Sequence, residues 1–195
     1  MTLFERLAEL ADRWNVLRHP FYTRWECGEL TRTELAFYAG EYRHAVLAVA
    51  QAAAAAGDAE HAAEEAGHVA LWDEFAAELD ADLERPPTHE TRQLVTLWSR
   101  ADPVEANAVL YAIESAQPTI AQTKLDGLRE HYGFEGRGTA YFELHAELDA
   151  EHAERARAWL EANADDDDCV VSAAEAALEA NWRLLDGVQR AMAPH

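Results

Sequence analysis

The sequence predicts an all-α fold, a seven-helix antiparallel bundle forming one domain over residues 1–195. Three observations carry this. Apolar residues recur at three- and four-residue spacing along almost the whole chain. Alanine, leucine, glutamate and arginine, all strong helix formers, dominate the composition. No stretch alternates apolar and polar residues over the length of a strand.

The first helix is expected from Leu3 to Arg18, ending before His19-Pro20, with Phe21 to Trp25 as a connector closed by Gly28. Thr31-Arg32-Thr33-Glu34 is a capping box, a hydroxyl at the N-cap with a glutamate three residues on, and opens a long helix to Ala56. Gly57-Asp58 separates it from a third helix reaching Asp80, and Pro86-Pro87 is the clearest stop in the chain. A short helix follows over Glu90 to Ser99. Asp102-Pro103 reads as N-cap and N1 proline for a helix that runs to His131, bent at Pro118. The glycine-rich loop 133–138 leads to a highly charged helix over Thr139 to Asn163. Asp165 to Asp168 is expected as a solvated turn before the last helix, Ser172 to Met192.

The 195 residues include 16 basic and 37 acidic side chains, for a net charge of −21. Such a surface repels phosphate backbones and anionic headgroups, which argues against nucleic-acid and membrane partners. Two cysteines, Cys27 and Cys169, make neither a disulfide framework nor a cysteine-based zinc site. The first residues lack the layout of a signal peptide, so a cytoplasmic location is expected. Of the 16 basic residues only Lys124 is lysine.

Three segments can carry chemistry. Glu114 sits among Val109, Leu110, Ile113, Ile120 and Leu125. A carboxylate in such surroundings needs a metal, a cation or a proton, unless it lies on the polar edge of its helix. His145, Asp149 and His152 fall at i, i+4 and i+7, on one stripe of one helix. His68 has Glu65 three residues before it and Glu64 four before it, with His61 at i−7. An acid three before a histidine is how bundle helices offer ligands to di-iron centres. The same pattern at Glu41/His44 and Asp58/His61 is taken as incidental. Three helices thus offer three carboxylates and three histidines, enough for two ions. A nitrogen-and-oxygen set without thiolate favours iron or manganese over structural zinc.

These segments resemble the haem-oxygenase-like fold group, which includes TenA and the pyrroloquinoline-quinone synthase PqqC. Within it, the chain is most similar to the non-haem di-iron oxidases and oxygenases of the CADD-like, p-aminobenzoate-forming type (CADD: chlamydial protein associating with death domains). The resemblance runs through HPFYTRWECGELTRTELAFYAGEY, HVALWDEF, LYAIESAQPTIAQTKLDGLREHYGF and YFELHAELDAEH. It implies a seven-helix haem-oxygenase-like bundle and a ligand set of Glu65 or Glu64, His68, Glu114, His145, Asp149 and His152. It also implies two iron ions, or iron and manganese, with dioxygen as co-substrate, an external electron donor and a homodimer. Members that form p-aminobenzoate consume one of their own tyrosines, with a lysine as nitrogen donor. The matching positions are Lys124 and Tyr22, with Tyr141 as a second match; Ile113 stands where the chlamydial members have tyrosine. Oxidation of a small amine or acid is the other oxidase reading. The competing functions are a TenA-like thiaminase, which needs an interior cysteine nucleophile, and a non-catalytic helical binding protein.

Overall fold

The computed structural model describes residues 1–193, apart from the side chains of Leu148 and Ala150. Among these residues the chain forms nine α-helices and two short 3-10 turns: α1 (Leu3–Arg13), α2 (Pro20–Glu26), α3 (Arg32–Ala56), α4 (Ala59–Glu78), α5 (His89–Trp98), α6 (Pro103–Glu114), α7 (Gln117–His131), α8 (Ala140–Asn163) and α9 (Asp167–Met192), with the turns at Val16–Arg18 and Gly136–Gly138. The all-helical expectation holds, with a finer segmentation than the sequence suggested.

Local chemistry explains both the agreements and the differences. Thr31 and Glu34 cap α3 reciprocally, and the Asp102 side chain accepts from the amides of Val104 and Glu105 at the start of α6. The expected connector after His19 is instead a short helix, α2, because His19 Nδ1 caps it and Pro20 supplies a preset first residue. The bent helix through Pro118 is instead two helices. A proline ring clashes with the carbonyl four residues earlier, here that of Glu114, and α6 ends at that residue. The acidic turn is shorter than expected: Asp166 caps α9, and Asp167 and Asp168 occupy its first turn, where the helix dipole favours negative charge.

Packing surrounds one interior region. Helices α3, α4, α8 and α6 each contact the next and close into a ring. Its apolar filling is strongly aromatic, with Trp25, Tyr38, Trp72, Phe75 and Phe142 fully buried and packed mostly edge-on. One close approach positions α7. A methyl group at Gly127 would sit 2.8 Å from the Trp25 ring, so glycine lets the indole lie on the helix and donate to Lys124 O at 3.0 Å. Among the described residues no helix is long and apolar enough to cross a membrane.

Candidate metal centre

Helix α4 places His61, Glu65 and His68 on one stripe, and all three are buried. Opposite it, α8 places His145, Asp149 and His152 on another, also buried. Glu114 enters from the last residue of α6, 3% exposed. A carboxylate there faces the negative end of its own helix dipole as well as the loss of water, so it needs a positive neighbour.

The ligand atoms of His61, Glu65 and His152 lie within 4.8 Å of one another, and so do those of Glu65, His68 and His145. Glu65 belongs to both groups. Its oxygens are 3.1 Å from His68 Nδ1, 3.7 Å from His61 Nε2, 3.8 Å from His152 Nδ1 and 3.9 Å from His145 Nε2. Glu64, the neighbouring alternative, points to the rim with its side chain 44% exposed, and meets His152 Nε2 at 3.2 Å. Asp149 approaches His152 Nδ1 at 3.9 Å, and Glu114 approaches His61 Nε2 at 3.1 Å.

These contacts leave the site electrostatically unfinished. Both Glu114 oxygens, His61 Nε2, His145 Nε2 and His152 Nδ1 are buried without an aligned hydrogen-bond partner. Burial pushes the Glu114 carboxyl up to about 7, against the pull of His61. Burial, together with repulsion from Glu65 and Glu114, pushes Asp149 up to about 9. Burial opposes charge on Glu65 too, but His145, His61 and His68 outweigh it and hold this carboxylate well below the ordinary range. For His61, burial is overcome by Glu114 and Glu65, which lift it to about 10. His152 is lowered by burial and by the neighbouring charges of His61 and Arg155. Orphaned nitrogen and carboxylate atoms converging from three helices fit divalent cations of the iron and manganese class.

His61 corrects the sequence reading, which set it aside as incidental. The signal was present in the spacing: His61-x3-Glu65-x2-His68 repeats the spacing of His145-x3-Asp149-x2-His152 on the facing helix. The other incidental pair is indeed structural at its acid: Glu41 binds Arg85 at 3.1 Å and accepts from Thr88 N at 3.0 Å, fastening the start of α5.

A second buried cluster adjoins the first. Lys124 is 1% exposed, and its Nζ has no hydrogen-bond partner. It faces the rings of Tyr42 at 4.6 Å, Tyr22 at 4.9 Å, Tyr38 at 5.7 Å and Phe142 at 5.9 Å. The π faces favour a cation, but removal from water prevails and brings the amine down to about 7. The Tyr22 and Tyr38 hydroxyls are 2.7 Å apart, and burial raises both phenols well above their usual range. Tyr141 lies instead against the histidine–carboxylate cluster, its ring stacked on His145 at 3.9 Å. Tyr38 and Tyr42 were not singled out from sequence, because aromatic residues inside a helix look like ordinary core. A small cavity of about 20 Å³ lies between the clusters, lined by Tyr42, Ile113, Glu114, Tyr141, His145 and Asp149 among others. That is room for about one water-sized molecule.

Both cysteines are exposed. His19, the only histidine near the first helix, is committed to capping α2 and meets Asp186 at 3.2 Å.

Comparison with known proteins defines the class first. Residues 32–183 match the family of iron-containing redox enzymes, and the chain belongs to that family. It is 30% identical over 211 residues to the 4-aminobenzoate synthase of Chlamydia muridarum, covering 95% of this chain and 89% of that protein. It is also 30% identical over 225 residues to the 4-aminobenzoate synthase of Nitrosomonas europaea, covering 96% and 91%. Among solved structures, a domain of unknown function with a heme oxygenase-like fold from Shewanella denitrificans superposes with a TM-score of 0.83 at 24% identity, over 98% of this chain and 93% of that one. A TenA homolog from Pseudomonas syringae superposes with a TM-score of 0.81 at 16% identity, over 96% and 91%. The fold is therefore haem-oxygenase-like.

Proposed function

We propose that this protein is a di-metal oxidase that forms 4-aminobenzoate from one of its own tyrosines, with Lys124 as the nitrogen donor. The observation that carries the reading is Lys124 itself: the chain's single lysine is buried, unpaired and surrounded by tyrosine rings. An arginine would keep the charge but could not act as a primary amine.

His61, Glu65, His68, Glu114, His145, Asp149 and His152 would hold two ions, iron with iron or iron with manganese. When bound, they supply the one-electron chemistry needed to use dioxygen as oxidant. The chain's own contribution is separation from water and a suitable amine. In the buried cage Lys124 loses its proton near neutral pH, exposing the nitrogen lone pair. A tyrosine side chain has the carbon skeleton of 4-aminobenzoate. Conversion breaks its Cα–Cβ bond, oxidises Cβ to a carboxyl group and replaces the phenol oxygen, lost as water, by the Lys124 nitrogen, whose bond to Cε breaks as that carbon is oxidised to an aldehyde. Dioxygen is the oxidant, and an external electron donor supplies the reducing equivalents left over in its reduction.

The small cavity supports a substrate that is already part of the protein, since about 20 Å³ admits dioxygen but no aromatic molecule. Tyr22 is the proposed sacrificed residue. Tyr42 is the alternative on a specific observation: its ring is nearer Lys124, and it lines the cavity shared with Glu114 and His145. The exposed cysteines support this reading over a hydrolase with a buried thiol nucleophile. A homodimer belongs to the proposal, with sedimentation as its test.

The experiment is anaerobic loading with ferrous iron, alone and with manganese, followed by reductant and oxygen. Mass spectrometry then follows free 4-aminobenzoate and the peptides carrying Tyr22, Tyr42 and Lys124. The expected result is product together with a matching modification at Lys124 and at one tyrosine. Absence of product from fully loaded protein would overturn the proposal.

A further inference from the structure

A cavity of about 280 Å³ opens at the turn between α3 and α4 and reaches inward between α6 and α8. Gly57 and Ala59 at its mouth are exposed, and its inner wall includes His61 and His152, both buried. The two imidazole rings stand 4.1 Å apart and close that end. The unpartnered His61 Nε2 and His152 Nδ1 lie behind this wall, out of reach of water. The cavity thus runs from solvent to the outer face of the histidine–carboxylate cluster and stops there.

Charged groups stand along the way in. Asp58 at the mouth caps α4 with Oδ1, which accepts from His61 N at 2.9 Å, and its side chain remains partly exposed. Glu64 stands beside the inner end, with its outward carboxylate 3.2 Å from His152 Nε2. Arg155 lines the cavity and reaches toward both acids, with Nε 3.9 Å from Asp58 Oδ2 and Nη2 3.7 Å from Glu64 Oε2. Both separations are too long for hydrogen bonds, and Arg155 Nε is buried without a partner. A guanidinium held there by charge alone, on a partly exposed side chain, swings outward at little cost.

We propose that divalent cations reach the buried cluster through this cavity, with Asp58 and Glu64 as the first carboxylates to receive the ion and Arg155 as the gate that yields to it. A chain of net charge −21 draws cations to its surface. At the mouth, the two carboxylates offer oxygen donors in exchange for water, and like-charge repulsion moves Arg155 aside. The His61–His152 ring contact then parts to bring the ion onto imidazole nitrogen, a donor that suits iron and manganese as carboxylate does. The entrance rests on the metal-binding part of the proposed function and is independent of 4-aminobenzoate.

The probe is cobalt(II) added to the metal-free full chain. Visible absorption of the bound ion gives the rate of uptake, and elemental analysis after desalting gives the final content. Ala59→Trp fills the mouth from an exposed position outside the cluster, and is expected to slow uptake several-fold with the final content unchanged. Ala77→Trp, exposed near the far end of the same helix, is the control and should load at the parent's rate. Asp58→Asn keeps the helix cap but removes the receiving charge, so uptake should slow several-fold and lose part of its dependence on salt. Arg155→Met removes the gate and is expected to speed uptake several-fold. Uptake by Ala59→Trp at the parent's rate would overturn the entrance and leave the metal centre in place. Should Ala59→Trp not fold, parent-rate uptake by Asp58→Asn would overturn it equally. Parent-rate uptake by Arg155→Met would overturn the gate. A parent that binds no cobalt, iron or manganese would refute the metal centre itself, and the entrance with it.

Discussion

The two buried polar clusters meet the cost of desolvation in opposite ways. Around Glu65, carboxylates and imidazoles are gathered so that charges offset one another, and a surplus of orphaned ligand atoms remains for cations. Around Lys124, among the described residues, the amine faces aromatic rings and a phenol pair, and burial governs its charge. Buried groups that keep their charge must be paired, and those that are not paired give it up. The first arrangement suits a metal centre and the second a neutral amine. The second draws Lys124 from α7 and Tyr22 from α2, outside the ring of helices that supplies the first.

The comparison is broken most severely through the shared carboxylate. Glu65→Gln is expected to lower affinity for both ions by more than about 100-fold, since changing even the groups that orient ligands costs 10–100-fold. His61→Ala, touching one ligand group alone, should reduce the bound metal toward one ion per chain. Elemental analysis after desalting checks both, and full loading of Glu65→Gln would contradict the shared role.

Next in size is the separation of the two clusters. Lys124→Met removes the amine and keeps the stem, and is expected to abolish 4-aminobenzoate while metal content stays that of the parent. Product from this variant, detected by mass spectrometry, would show that the nitrogen comes from elsewhere.

A third test uses stability. Lys124 titrates near 7 in the fold and near 10.5 when unfolded. Between these values the unfolded chain holds the extra proton, so the lysine's contribution to stability rises with pH and is least favourable below 7. The slope is at most about 1.4 kcal/mol per pH unit. Denaturant melts at pH 6 to 10 should show this rise in the parent relative to Lys124→Met. Parallel pH profiles in the two chains would show that the amine is not desolvated.

The smallest expected effect concerns the phenol pair. Tyr38→Phe deletes the partner of the Tyr22 hydroxyl at little change in volume, for a loss of about 1 kcal/mol. Metal loading should be untouched. A loss of metal in this variant would show the clusters to be more tightly coupled than their separate chemistry implies.

Much of the fold was legible because helix ends are written locally. Thr31 with Glu34, and Asp102 with Pro103, announce their helices without reference to the rest of the chain. The stripe of His145, Asp149 and His152 was equally plain, since 3.6 residues per turn puts i, i+4 and i+7 together. Periodicity alone did not choose between Glu64 and Glu65. Neighbouring residues point about 100° apart, and the packing of α4 against α3 and α8 decides which one is interior.

The sequence by itself determined the helical class, most helix boundaries and which helices carry histidines and carboxylates in stripes, because these depend on contacts within a few residues. Only the tertiary structure brought His61 into the buried histidine–carboxylate cluster, turned Glu64 to the rim and enclosed Lys124 among Tyr22, Tyr38 and Tyr42. It also replaced a bend at Pro118 by a break after Glu114, so that α7 carries Lys124 inward on its own axis against Trp25. Each of these depends on which helix face meets which. That is settled by packing between segments distant in the chain, where a histidine or a lysine is buried only if a partner or a cage has been assembled around it.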